Sequence, residues 1–156
     1  MADTLLVTIN DNISLGSNVT RYFPVGQGVT QINTTEAQIQ RTFRNAGTLK
    51  NLLVLIPSNS ILVLATTYTT RLNGADTSQT ISVAAGATGT FEDTSNNVTV
   101  AATDEVNYKI VVPVTASGVI YTVSLSNTYT ANTNTYVNFE ASPAATDTSI
   151  QFNDNT

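Results

Sequence analysis

The sequence contains no cysteine, no histidine and no tryptophan. Without cysteine there is no disulfide framework and no thiol chemistry. Without histidine the commonest general base and the commonest metal ligand are both missing. A nucleophilic serine or threonine would need a lysine or a carboxylate as its base. Lys50 and Lys109 both fall in strand patterns with no Ser-x-x-Lys spacing, and Lys109 reads as a solvated residue on an outward face. Charge of either sign is sparse. Six basic and eleven acidic residues make up 11% of the chain and leave a net charge of −5. No basic cluster exists to neutralise phosphates, which argues against nucleic acid, and the same deficit argues against an anionic membrane surface. Long hydrophobic runs are also missing. The longest, Leu52 to Ile56, is far too short to span a bilayer. Residues 1–20 carry no basic start followed by an apolar run, so no signal peptide is expected and synthesis in the cytoplasm is.

What fills the space is threonine, asparagine, serine and alanine, around a hydrophobic fraction of 41%. At 156 residues the chain fits one domain, or one domain with an arm, and can bury a core without metals or disulfides. From Leu49 onward the apolar residues alternate. Leu62, Leu64, Tyr68 and Leu72 read as one face of a strand that ends at Asn73-Gly74, a type I′ hairpin signal. Ile81 and Val83, then Val98 and Val100, mark two more strands. Val106, Tyr108, Ile110 and Val112 mark another, followed by Val119, Tyr121, Val123 and Leu125, and a last strand runs through Tyr136 to Phe139. About eight short strands, each bounded by turn residues, predict an all-β antiparallel sandwich or barrel. Periodicity alone does not separate a jelly roll from an immunoglobulin-like sandwich. The one helix candidate, Thr35 to Arg44, also alternates at Ala37, Ile39, Arg41 and Phe43, and strand is the preferred reading. The expected organisation is an N-terminal arm over residues 1–35, a sandwich over 36–141 and a polar tail over 142–156.

Candidate sites are few. Glu92-Asp93 and Asp104-Glu105 are adjacent acidic pairs, but neither has the spacing of a calcium loop, and turn-forming acids are the favoured reading. Gly86-Ala87-Thr88-Gly89 lacks the lysine of a phosphate loop and reads as a turn. Tyr68, Tyr108 and Tyr121 fall on registers that point inward, which weakens any sugar-stacking platform. No catalytic residue, cofactor or metal is expected. The residues that stand out are apolar with no obvious cover. Leu52, Val54 and Ile56 point one way and Leu53 and Leu55 the other, so one set needs a partner outside the core. Leu5, Val7 and Ile9 form an apolar strand face in the arm, and Tyr22 and Phe23 add an aromatic patch before Pro24. That strand either reaches a neighbour or completes the domain's own sheet.

The stretch Glu36 to Ser126 resembles a family of small β-domains of phage and bacterial surface proteins, relatives of the trimeric TNF-like jelly rolls. The matching segments run in order: Phe43-Arg44-Asn45-Ala46-Gly47-Thr48-Leu49, Lys50-Asn51-Leu52, Arg71-Leu72-Asn73-Gly74, Val83 to Gly89, and Asn97 to Ala102. Asp104 then opens a strand, with Thr103 where relatives often place glycine. The resemblance implies a jelly roll that packs around a threefold axis. It points to a virion protein: capsid decoration, head fibre or spike. The implied partners are copies of itself and a major capsid or other virion protein. The other class it leaves open is a tail-fibre or adhesin module that binds host glycans. No catalytic residues come with it.

Overall fold

The computed structural model describes residues 3–26, 32–114, 118–133 and 139–141. Among the described residues there are twelve strands: β1 (Asp3–Gly16), β2 (Val19–Pro24), β3 (Arg41–Phe43), β4 (Gly47–Ile56), β5 (Ser58–Asn59), β6 (Thr66–Leu72), β7 (Ala75–Val83), β8 (Gly89–Asp93), β9 (Val98–Val100), β10 (Glu105–Val112), β11 (Val119–Ala131) and β12 (Phe139–Ala141). They form two antiparallel sheets packed as a sandwich. Sheet A has the order β1-β11-β4-β8, with β5 on β11 and β9 on β4. Sheet B has the order β12-β3-β10-β6-β7, with β2 on β10.

Eight of these strands pair in a nested sequence: β1 with β11, β2 with β10, β4 with β8, and β6 with β7. The innermost pair is the hairpin forecast at Asn73-Gly74, and both residues have the positive φ that its turn needs (50° and 76°). Successive strands then alternate between the sheets, which is the path of a jelly roll. Inward-facing residues from both sheets make one core, including Phe23, Phe43, Leu49, Leu52, Val54, Ile56, Tyr68, Val106, Tyr108, Ile110, Leu125 and Tyr129.

Four sequence expectations need correction. Residues 3–24, read as part of an arm, are β1 and β2, one strand of each sheet. Their ladder partners, β10 and β11, lie roughly a hundred residues downstream, so no local pattern announces the pairing. Residues 142–156, read as a tail, and Tyr136 lie outside the described residues. The segment from Thr35 divides into a single 3-10 turn, Glu36–Gln38, and the short strand β3, so it is strand only at its end. Leu62 and Leu64, expected inside a strand, are exposed. The chain leaves sheet A when β5 ends at Asn59 and must cross the sandwich before β6 begins at Thr66, so there is no ladder for residues 62–65 to join. The inward face of β11 is likewise not Val119-Tyr121-Val123. Ile120, Thr122 and Leu125 point in, and Tyr121 is half-buried. The Thr122 hydroxyl is accommodated because the Tyr68 hydroxyl lies 2.8 Å away across the core.

A bulge in β4 sets the face of every residue after it. Lys50 pairs with Thr128 and Leu53 with Ser126, so Asn51 and Leu52 together face Asn127. Asn51 takes φ 49°, which asparagine tolerates better than most residues. The bulge frees backbone carbonyls, and side chains take them. Asn127 Nδ2 donates to the Lys50 carbonyl (3.0 Å) and to Gln79 Oε1 (3.1 Å), and Gln79 Nε2 donates to the Leu49 carbonyl (3.3 Å). This buried amide pair ties β7 of sheet B to β4 and β11 of sheet A. Such polar links are stable inside a core only because their donors find partners.

Candidate functional site

After the bulge, Leu52, Val54 and Ile56 are fully buried, while Leu53 and Leu55 stand half-buried on the outer face of sheet A. The ladders extend that face on both sides. Val7, Ser126, Leu53 and Glu92 lie in one row across β1, β11, β4 and β8. Ile9, Ser124, Leu55 and Thr90 occupy the next row of the register. Leu5, Thr128 and Lys50 form the row on the other side. Leu5 is 64% exposed. The strand between the two apolar sets carries Ser124, Ser126 and Thr128 in these rows, so the leucines of β4 and the aliphatic residues of β1 stand as walls of a shallow apolar trough.

The structure thus brings Leu5, Val7, Leu53 and Leu55 onto one face, with Ile9 placed there by its backbone register. It does not bring Tyr22 and Phe23 to them. Phe23 is completely buried in the core. Tyr22 is half-buried on β2 and pairs through its backbone with Asn33 (2.9 and 3.2 Å). Adjacent residues of a strand point to opposite faces, so Tyr22 and Phe23 form no joint patch. The serines of β11 that make the trough were missed. The signal was there in Ser124-Leu125-Ser126, a polar-apolar-polar alternation opposite to that of β4.

The outer face of sheet B is different. The segment before β3 crosses it, and a charge network holds it there. Arg71 Nε and Nη2 donate to the two Glu36 oxygens at 2.8 Å each. Arg71 and Lys109 both reach Asp76 at 2.5 Å. Burial disfavours the Asp76 charge, but the hydrogen bonds from Lys109 and Arg71 outweigh it and hold its carboxyl below the usual 3.8. Asn107, on this face, is completely buried. Lys109 therefore faces outward as read from the sequence, but it is held in a salt bridge and largely buried rather than solvated.

One acid of each pair serves a turn, Asp93 and Asp104, while Glu92 lies within β8 and Glu105 opens β10. Asp93 Oδ1 accepts from the backbone N–H groups of Ser95 and Asn96 (3.1 Å each), and Oδ2 from that of Thr80 (3.2 Å). Burial opposes ionisation of Asp93, yet the side-chain donor of Asn96 and these backbone donors keep its carboxyl below 3.8. Asp104 accepts from Ala101 N–H (2.7 Å) and Asn73 Nδ2 (2.8 Å). Among the described residues, no three carboxylates gather at one place. A polar groove of about 510 Å³ runs between β7 and β8, with Thr80, Ser82, Thr90, Glu92 and Asn96 among its lining and Phe91 on one wall.

No family model, curated protein or solved structure matches the chain.

Proposed function

We propose that this chain is a structural protein of a virus particle that acts as a homotrimer, decorating the capsid or building a head fibre or spike, and that it catalyses no reaction. The observation that carries the assembly half is the apolar trough on sheet A, bounded by Leu5, Val7, Leu53 and Leu55. The segment around Glu36 is held on part of the outer face of sheet B, and among the described residues no such segment is tied to the outer face of sheet A. Apolar faces of this kind on a soluble protein mark contact sites. The virion half rests on the resemblance of the Phe43–Ala102 segments to phage and bacterial surface domains, whose threefold packing also selects the trimer over other stoichiometries.

Burying a leucine is worth about 1.5–3 kcal/mol, so two from each copy make a useful share of an interface. Leu53→Asp is expected to lower the mass seen by light scattering with size-exclusion chromatography while leaving the circular dichroism of the sandwich unchanged. A wild-type protein that is monomeric at micromolar concentration would refute the trimer. Quantifying the chain in purified particles tests the virion assignment. A second reading, a glycan-binding module, is favoured by the hydroxyl-lined groove between β7 and β8. Glycan titrations that shift the amide resonances of Thr80 and Asn96 would select it.

A further inference from the structure

The nested pairing puts four connections at one end of the sandwich: residues 17–18 between β1 and β2, 57–65 between β4 and β6, 84–88 between β7 and β8, and the one between β10 and β11, of which Pro113, Val114 and Gly118 are described. The last ladder pairs at this end agree, as Gly16 faces Val119, Ile56 faces Gly89, and Thr66 faces Val83. None of these connections contains an ionisable side chain. Asp104, Glu105, Arg71 and Asp76 lie toward the opposite end, beside the β6–β7 hairpin, and Arg21 on β2 is a charged residue nearer the four connections, two residues from the strand's start.

The same end carries four of the five large apolar side chains that stand out into solvent among the described residues. Leu62 is 69% exposed, Val63 66%, Leu64 49% and Val114 70%. The tip is also built firmly. Ile61, just before it, is fully buried. Ile61 N–H donates to Asn59 Oδ1 (3.0 Å), and Asn59 Nδ2 donates to the Ala84 and Ala87 carbonyls (3.1 Å each). Ser60 N–H donates to the Val119 carbonyl (2.8 Å), and Asn18 N–H to the Pro113 carbonyl (3.0 Å). A side chain at Gly118 would overlap the backbone of Ser60, so two of the connections are in direct contact. All four connections therefore brace one another beneath the tip.

We propose that this uncharged apolar end is an isologous contact between two copies of the chain, tip to tip, separate from the side-by-side contact on sheet A. Charge selects the occupant. A chain with a net charge of −5 repels its own copies. An isologous contact sets each surface against itself, so any charge in it meets its like. This end is free of ionisable groups across all four of its connections, and it offers no charge for a charged partner to read. It is complementary to itself: apolar residues meet apolar residues, and neutral hydroxyl and amide groups surround them.

Light scattering on the wild type, on the double variant L62D/L64D and on Leu53→Asp tests this. These tip side chains are exposed and outside any ladder, so the tip variant keeps its fold, checked by an unchanged thermal midpoint. The expected result is a tip variant at half the wild-type mass. Equal masses at the same concentration overturn the proposal. So does sedimentation of the wild type, but not of the tip variant, with neutral phosphatidylcholine vesicles, because the tip then belongs to lipid. If Leu53→Asp leaves the mass unchanged while the tip variant halves it, the trough reading fails and the tip contact stands.

Discussion

At the scale of single residues, backbone conformation separates good fits from bad ones. Asn18, Asn51 and Asn73 all adopt positive φ, and asparagine is the side chain that tolerates this best after glycine. Thr103 adopts φ 77°, where a β-branched residue is strained by about 1–3 kcal/mol. It persists because its surroundings dictate the turn. Thr103 N–H donates to the Phe43 carbonyl (2.7 Å), and Asp104 closes the turn by accepting from Ala101 N–H. The side chain is exposed and contributes little packing. Thr103→Gly should therefore stabilise the protein by about 1 kcal/mol, the relief of strain exceeding glycine's extra entropy cost. Urea unfolding measures it, and a variant less stable than wild type would refute the strain. Gly47 is the opposite case, since a Cβ there would overlap the Tyr129 ring. That ring packs against Phe43 at 5.3 Å and donates its hydroxyl to the Asn45 carbonyl (2.7 Å).

Among the elements, β1 and β2 decide whether the chain has a detachable arm. β1 covers almost the whole length of β11, and β2 pairs along β10. Together they insert Leu6, Leu15 and Phe23 into the core, and Thr8 Oγ1 donates to the Pro24 carbonyl (2.6 Å) across the sheets. Three such side chains are worth about 5–9 kcal/mol, comparable to the about 5–15 kcal/mol by which a whole domain is stable. Deleting residues 1–24 should therefore abolish cooperative thermal unfolding. A truncated protein that still melts in one sharp transition would restore the arm. This error shows what the sequence could reveal. The Asn73-Gly74 hairpin and the alternation of Val106, Tyr108, Ile110 and Val112 were readable because their signals are local. The split of Leu52–Ile56 into two faces was readable for the same reason. Which strand lies beside which was not. Leu5 and Leu53 stood out separately, and only the long-range order β1-β11-β4 puts them on one face with Ser126 between. Tyr121 was misplaced because alternation favours an apolar residue inside, whereas Thr122 is admitted there by a hydroxyl from another sheet.

For the whole molecule, the distribution of ionisable groups sets the pH range of the fold. Asp76 and Asp93 have carboxyls held below 3.8, so what they contribute is present at neutral pH and is lost as pH falls below that value. The alkaline side depends on three tyrosines buried in the core, Tyr68 on β6, Tyr108 on β10 and Tyr129 on β11. Burial raises all three above the usual 10, Tyr129 to about 12 and the other two further, with the Thr122 hydroxyl partly opposing the rise at Tyr68. The sign follows. A tyrosine in the unfolded chain ionises near 10, and the folded chain resists it, so alkali favours the unfolded state. Stability should be flat from neutral pH to about 10 and then fall as pH climbs toward the raised values of the folded state. Tyr108 isolates the effect, because its hydroxyl is buried with no hydrogen-bond partner among the described residues. Replacing a buried group whose hydroxyl makes no bond costs little. Tyr108→Phe should match the wild type in urea at neutral pH and unfold at a higher pH in an alkaline titration followed by circular dichroism and tyrosinate absorbance. An unchanged alkaline midpoint would mean that these phenols do not control the transition.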